Sequence, residues 1–278
     1  MKNIIFGSTS LIGQELYNQL GLSRKKFFFC SRKNHLNQNN WIKYNLSNIR
    51  YTLPKKFNIG IFLISTKYLK KKLKKKTLLT ELKLLKEVSK NCKFEKFIYL
   101  SSSTVYQKNN LIGKIKKKCE SYLKKNKNFY NKLQIWRPYN LVGKNKLFLS
   151  DHFYNLLFKK MFLDKRKGYL FNGHSKDMRG YCSVKIFVKN LIKYSKKNIN
   201  FSYSYGNKNS VNIYEIADIF NRRFYKLNKK YFNVKFKNKI PNKNLINAKS
   251  NKSILTKENN KKLFNTFLNL MLKDLKKN

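Results

Sequence analysis

The feature that most constrains this chain is an alternation. Across its first half, short apolar runs rich in β-branched and aromatic residues take turns with amphipathic stretches. "KNIIFG" (2–7) is an apolar run ending in glycine and reads as a buried strand. "STSLIGQELYNQLG" follows, with Leu11, Ile12, Leu16 and Leu20 at helical spacing and Gly21 as a stop. "KKFFFCSR" and "NIGIFLIST" read as further strands. "TLLTELKLLKEVSKNC" is an amphipathic helix with Leu78, Leu82, Leu85 and Val88 as its inner stripe. "FEKFIYLSSS" is a strand, the segment around Lys116 a helix, and "LQIWRPYNLVG" a strand ending in Pro and Gly. Strands separated by helices cannot pair as hairpins, so they predict a parallel sheet covered by helices on both faces.

The second half is less regular. "DHFYNLLFKKMFL", "SVKIFVKNLIKYS", "VNIYEIADIFNRRF" and the basic C-terminal stretch from Lys257 read as helices. Residues 235–252, rich in Lys and Asn, read as a loop, and "KYLKKKLKKK" (67–76) as a solvated helix face. The expected architecture is α/β: a Rossmann-like, doubly wound parallel sheet over residues 1–150, and a small C-terminal substrate lobe over 151–278 that completes the cleft without folding independently.

With 278 residues, of which 41% are hydrophobic, the chain can bury a sizeable core. Its formal net charge is +52, from 64 Lys and Arg against 12 Asp and Glu. Two readings of that charge stay open. One is contact with a polyanion such as nucleic acid. The other is drift toward AT-rich codons, which specify the Lys, Asn, Ile, Phe and Tyr that fill this chain, and the even spread of lysines fits it. Cys30, Cys92, Cys119 and Cys182 have neither metal-ligand nor redox spacing and read as reduced buried thiols. No apolar run approaches the roughly 20 residues of a membrane span, and the apolar start is too short for a signal peptide. The expectation is a cytoplasmic protein without a metal.

"FGSTSLIG" carries the first functional signal. Gly7, Ser10 and Gly13 occupy the positions of a glycine-rich nucleotide turn between a strand and a helix. There the first glycine permits the tight turn, and the last lets helix and strand approach. The helix start, through Leu11 and Ile12, offers free N–H groups to phosphate. Ser10, at the middle position, adds a hydroxyl. The second strand ends in "CSRK" rather than in an acid, so Arg32 could hold a 2′-phosphate. The cofactor is then NADP or NAD, with NADP favoured.

Taken in order, these segments resemble the extended short-chain dehydrogenases/reductases, in particular the NAD-dependent epimerase/dehydratase group acting on nucleotide sugars. "GSTSLIG" resembles that family's GxxGxxG turn, "KFIYLSSSTVY" its fourth-strand ending, "IWRPYNLVG" its RPxNxxG and "DMRGYCSV" its RDFxxV. "KYNLSN", with Asn45 in place of the family's acid, and "GNKNSVNIYEIADIF" are similar to two further family segments. The resemblance implies a Ser, a Tyr and a Lys at the catalytic centre. The phenolate exchanges a proton with the substrate while hydride passes to the nicotinamide, the lysine lowers the phenol pKa and holds the ribose, and the serine bonds the reacting oxygen.

Ser102 matches that serine. Gly113, Lys116 and Glu120 match YGxxKxxxE, which leaves Ile112 at the tyrosine position. Isoleucine has no proton to exchange, and the connection from Ser102 is shorter than the family's usual one. By resemblance, Lys116 also binds the cofactor ribose, and Asn140 and Arg179 line the nucleotide-sugar side, while Arg137 falls at a family arginine. Gly180 and Lys185 depart from the acidic pattern that usually follows.

Two functions follow. One is an NAD(P)-dependent nucleotide-sugar epimerase, dehydratase or reductase with impaired proton transfer. The other is a catalytically silent relative that binds a dinucleotide or a polyanion, as an RNA-binding factor or an assembly subunit. A nucleotide-sugar-like molecule is the expected small partner. A homodimer through the Lys116 helix is open, although Lys114, Lys117 and Lys118 would repel a second copy.

Overall fold

The computed structural model describes residues 2–31, 40–43, 54–65, 75–107, 110–143, 153–164, 168–171, 174–237 and 253–275, with only the backbone for 75–79. The chain divides into two compact units: 1–138 with 184–205, and 139–183 with 206–278. Residues 184–205 return to the first unit after the chain has entered the second.

In the first unit, β1 (Asn3–Phe6), β2 (Phe27–Ser31), β3 (Trp41–Lys43), β4 (Lys56–Phe62), β5 (Lys93–Leu100), β6 (Tyr130–Pro138) and β10 (Phe201–Asn207) form one sheet in the order β10-β6-β5-β4-β1-β2-β3. All of these neighbours pair in parallel. The first six strands run 3-2-1-4-5-6, and the order reverses between β1 and β4. In open α/β sheets the crevice outside the carboxyl ends of the strands at such a reversal is where ligands lie.

The crossovers are α1 (Leu11–Leu20), α2 (Lys75–Asn91), α3 (Leu111–Lys125) and α5 (Val184–Ser195). Phe6, Phe62, Phe94, Phe97, Tyr99, Leu85, Val88, Cys119 and Leu123 meet in the core between strands and helices. The strands read as nearly continuous apolar runs because both of their faces are covered. The α2 stripe differs from the expected one. Glu81, Leu84, Leu85 and Val88 are buried, and Leu82 is half-buried.

The second unit contains α4 (Phe153–Phe158), α6 (Ile213–Asn228) and α7 (Asn260–Leu275). With them are a small sheet of β7 (Asn140–Val142), β9 (Met178–Ser183) and β11 (Ser210–Asn212), and a parallel pair of β8 (Gly168–Phe171) and β12 (Asn233–Phe236). Phe153, Tyr154, Phe220, Phe264 and Phe267 dominate its core. Tyr154 is fully buried, and its hydroxyl donates to the Leu141 carbonyl at 2.8 Å. The four expected C-terminal helices are present, the first continuing past Phe158 as a π-helical turn through Leu163. Most of the loop expected at 235–252 and of the lysine run at 67–76 lies outside the described residues.

Candidate functional site

The first crossover turn is built as its glycines require. Gly7 has φ +85°, a conformation that costs a side-chain-bearing residue. Its N–H and that of Ser8 both donate to the Cys30 carbonyl, at 3.0 and 3.1 Å, and the Ser8 hydroxyl bonds the Ile5 carbonyl. Ser10 N–H closes the turn on the Gly7 carbonyl, and the Ser10 side chain caps α1 by accepting from Gly13 N–H at 3.1 Å. At Gly13 a Cβ would stand 2.4 Å from the Ser8 carbonyl oxygen, so only glycine permits the close approach of helix and strand.

The first α1 backbone bond runs from Gln14 N–H to the Ser10 carbonyl. Leu11 and Ile12 therefore present N–H groups that no intrahelical carbonyl can take. Together with the Ser10 hydroxyl, whose proton is still available for donation, they form a set of donors that fits a pyrophosphate. Arg32 and Asn45 lie outside the described residues.

Ser102 ends the segment after β5 and caps a 3-10 turn over Ser103–Tyr106. Its oxygen accepts from Thr104 N–H at 3.2 Å and from the Thr104 hydroxyl at 3.0 Å. α3 begins nearby, capped by the Asn110 side chain on Gly113 N–H at 3.0 Å. A Cβ on Gly113 would lie 2.1 Å from the Thr104 carbonyl oxygen. This glycine sets how closely α3 docks on the serine turn. Ile112 precedes it and is half-buried.

Lys116, one turn further, is 3% exposed. Its Nζ donates to Glu81 Oε1 at 2.6 Å and to the Leu100 carbonyl at 2.8 Å, with the Ile64 carbonyl at 3.5 Å. An ammonium has three N–H donors, and these acceptors account for them. Glu81 Oε1 also accepts from the Tyr99 hydroxyl at 2.8 Å, and Lys116 Nζ sits 5.1 Å from the Tyr99 ring centroid. A tyrosine does stand beside Lys116, but it reaches there from inside the core. Burial, joined by the Glu81 charge, pushes the Tyr99 pKa well above its ordinary value of 10.0. A phenol so held stays protonated and is no base. The donors at the turn thus fit a pyrophosphate, while the Lys116 ammonium is held by Glu81 and by backbone carbonyls.

Glu81 was not singled out from the sequence. Two signals could have found it. It is the first acid after Glu15, and it falls in helical register with Leu85 and Val88.

Glu120 and Arg137 form a second buried polar pair. Arg137 Nε and Nη2 grip the two Glu120 oxygens at 2.8 and 2.6 Å, and Ser101 Oγ donates to Oε1 at 2.6 Å. Arg137 Nη1 reaches the Tyr106 hydroxyl at 3.1 Å, which in turn meets Ser204 Oγ at 2.9 Å. The bidentate carboxylate raises the Arg137 pKa above its ordinary value. Arg137 and Tyr106 are thereby tied to protein partners.

Asn140 and Arg179 belong to the second unit. Asn140 Nδ2 donates to the Gly180 carbonyl at 3.2 Å. Arg179 is half-buried, its guanidinium carbon 5.9 Å from the Phe171 ring centroid, and its buried Nε has no partner among the described residues.

No family model matches the sequence, and no curated protein matches it. Solved structures do match. MoeE5, determined with UDP-glucose and NAD, is 13% identical with a TM-score of 0.73 over 99% of this chain and 100% of its own. The UDP-N-acetylglucosamine 4-epimerase from Methanobrevibacter ruminantium M1 is 16% identical with a TM-score of 0.73, covering 98% of each chain. TunA, an NAD-dependent NDP-hexosamine 5,6-dehydratase of tunicamycin biosynthesis, is 14% identical with a TM-score of 0.68 over 97% of each. From end to end, the chain has the fold of nucleotide-sugar epimerases and dehydratases.

Proposed function

We propose that this chain is a nucleotide-binding protein on the epimerase/dehydratase fold that no longer carries out proton transfer. The observation that supports this most is the capture of Lys116 by Glu81 and the Leu100 carbonyl, one helical turn after an isoleucine. Proton exchange with a sugar hydroxyl needs a titratable group at the reacting oxygen whose pKa lies near the working pH. Ile112 supplies none, Lys116 has its donors committed to the core, and Tyr99 is a buried phenol of raised pKa. A bound nicotinamide would supply a hydride acceptor, and this chain would contribute the backbone donors of Leu11 and Ile12 and the Ser10 hydroxyl toward the phosphates. Asn140 and Arg179 are the candidates for a sugar nucleotide.

The test is a titration of the full chain with NADH and with NADPH, followed by tryptophan fluorescence. Saturable binding that Lys116→Met leaves within about twofold supports the reading, since the lysine would then touch no ligand. Absence of binding by both would remove it. A loss of tenfold or more in Lys116→Met whose circular dichroism matches the unsubstituted chain would restore the lysine to the ribose. The ratio of the two affinities decides between NAD, which several structural neighbours hold, and the NADP that the basic "CSRK" suggested.

A further inference from the structure

A second cleft lies within the first unit, well away from the crossover turn. It is bounded by the N-terminal halves of β4, β5 and β6 and by the end of α5, and its volume is about 570 Å³. That falls in the range of small-ligand sites. Because these strands are parallel, the cleft is at the opposite end of the sheet from the carboxyl ends, where the turn lies.

Its lining holds Lys96, Lys132 and Lys196 against one carboxylate, Glu95. Lys96 and Lys132 are register partners on adjacent strands, so their side chains leave the same face of the sheet about 4.8 Å apart at the backbone. Like charges directly opposite each other destabilise a sheet. The strain is greater here because Lys96 is buried. One of its donors is used, Nζ to the Ser195 carbonyl at the last turn of α5, at 2.5 Å. Glu95 does not neutralise the pair. Its Oε2 is held by Asn131 Nδ2 at 2.6 Å, and among the described residues neither Lys96 nor Lys132 forms an ion pair with it. Burial pulls the Lys96 pKa below its ordinary value of 10.5, the response expected of a desolvated ammonium without a counter-charge.

A cleft lined by ammonium groups with donors to spare offers both charge and hydrogen bonds for a phosphate. We propose that this cleft at the foot of β4, β5 and β6 binds a small phosphate ester, with Lys96 and Lys132 on the phosphate. This site is independent of the nucleotide reading of the crossover turn.

The probe is glycerol 3-phosphate, a phosphate monoester, titrated calorimetrically into the full chain at about 0.15 M salt, where diffuse attraction is screened beyond roughly 8 Å. The expected result is one saturable site, weakened about tenfold by Lys132→Met and by Lys96→Met. Lys118→Met, which removes an exposed charge from α3, should leave it within about twofold. Equal weakening by all three variants, or binding that does not saturate, would overturn the proposal in favour of the chain's overall charge. If Lys96→Met fails to fold, the half-exposed Lys132 decides the matter alone. NADH titration of Lys132→Met should match the unsubstituted chain, which keeps this site separate from the turn.

Discussion

Lys116 is held by partners that its own stretch of sequence does not reveal. Its register with Gly113 and Glu120 was legible, and so was the isoleucine at 112. Its partner was not, because Glu81 stands 35 positions away on another helix, and no local pattern carries a contact of that range. The same holds for Arg137, whose bidentate grip on Glu120 joins β6 to α3. Both pairs are nearly dry. Breaking one side of such a pair strands a buried charge, so Lys116→Met should cost about 3–5 kcal/mol in urea unfolding. The double variant with Glu81→Gln should recover a large part of that loss, since the stranded carboxylate is then gone. Equal destabilisation by single and double variants would show that packing, not charge, dominates the site.

At the scale of elements, the parallel strands and their crossover helices were legible because period and composition are local properties. β1, β2, β4, β5 and β6 lie where apolar runs placed them, and α1 stops at Gly21 as expected. The short strands of the second unit were missed. Segments of three or four residues such as β7, β11 and β12 carry no resolvable period, and their burial depends on neighbours distant in sequence. β10 was missed too, although it is the strand that returns the chain to the first sheet.

The docking of α3 on the serine turn is the element contact on which the site depends most, and Gly113 controls it. In Gly113→Ala the new methyl would meet the Thr104 backbone oxygen, which cannot rotate away as a side chain could. The helix must shift, at a cost of about 1–3 kcal/mol, read as a lowered urea midpoint. A midpoint unchanged from the unsubstituted chain would mean that α3 stands off from the turn.

The whole molecule couples a charge of +52 to a core that shelters thiols and phenols. All four cysteines are free and buried. Burial pushes Cys92 and Cys119 up from 9.0 to about 12, and Cys30 and Cys182 higher still. In the unfolded chain these thiols ionise near pH 9, so above that pH the unfolded state holds fewer protons than the native one. Stability contributed by the protonated thiols is therefore complete below pH 9 and declines as pH climbs toward 12. Tyr99 adds to the decline above pH 10, and Lys96, shifted the other way, offsets a small part. The urea midpoint at pH 10.5 should fall below that at pH 8, and a flat profile would place the thiols in contact with solvent.

Whether this fold still performs chemistry is the central question, and turnover answers it most directly. Full-length protein incubated with NAD and a UDP-hexose, with products resolved by chromatography, should give no epimer, dehydrated sugar or NADH above a protein-free control. Conversion above that control that disappears in Lys116→Met would show the lysine free of Glu81 during a reaction cycle, and would contradict the account.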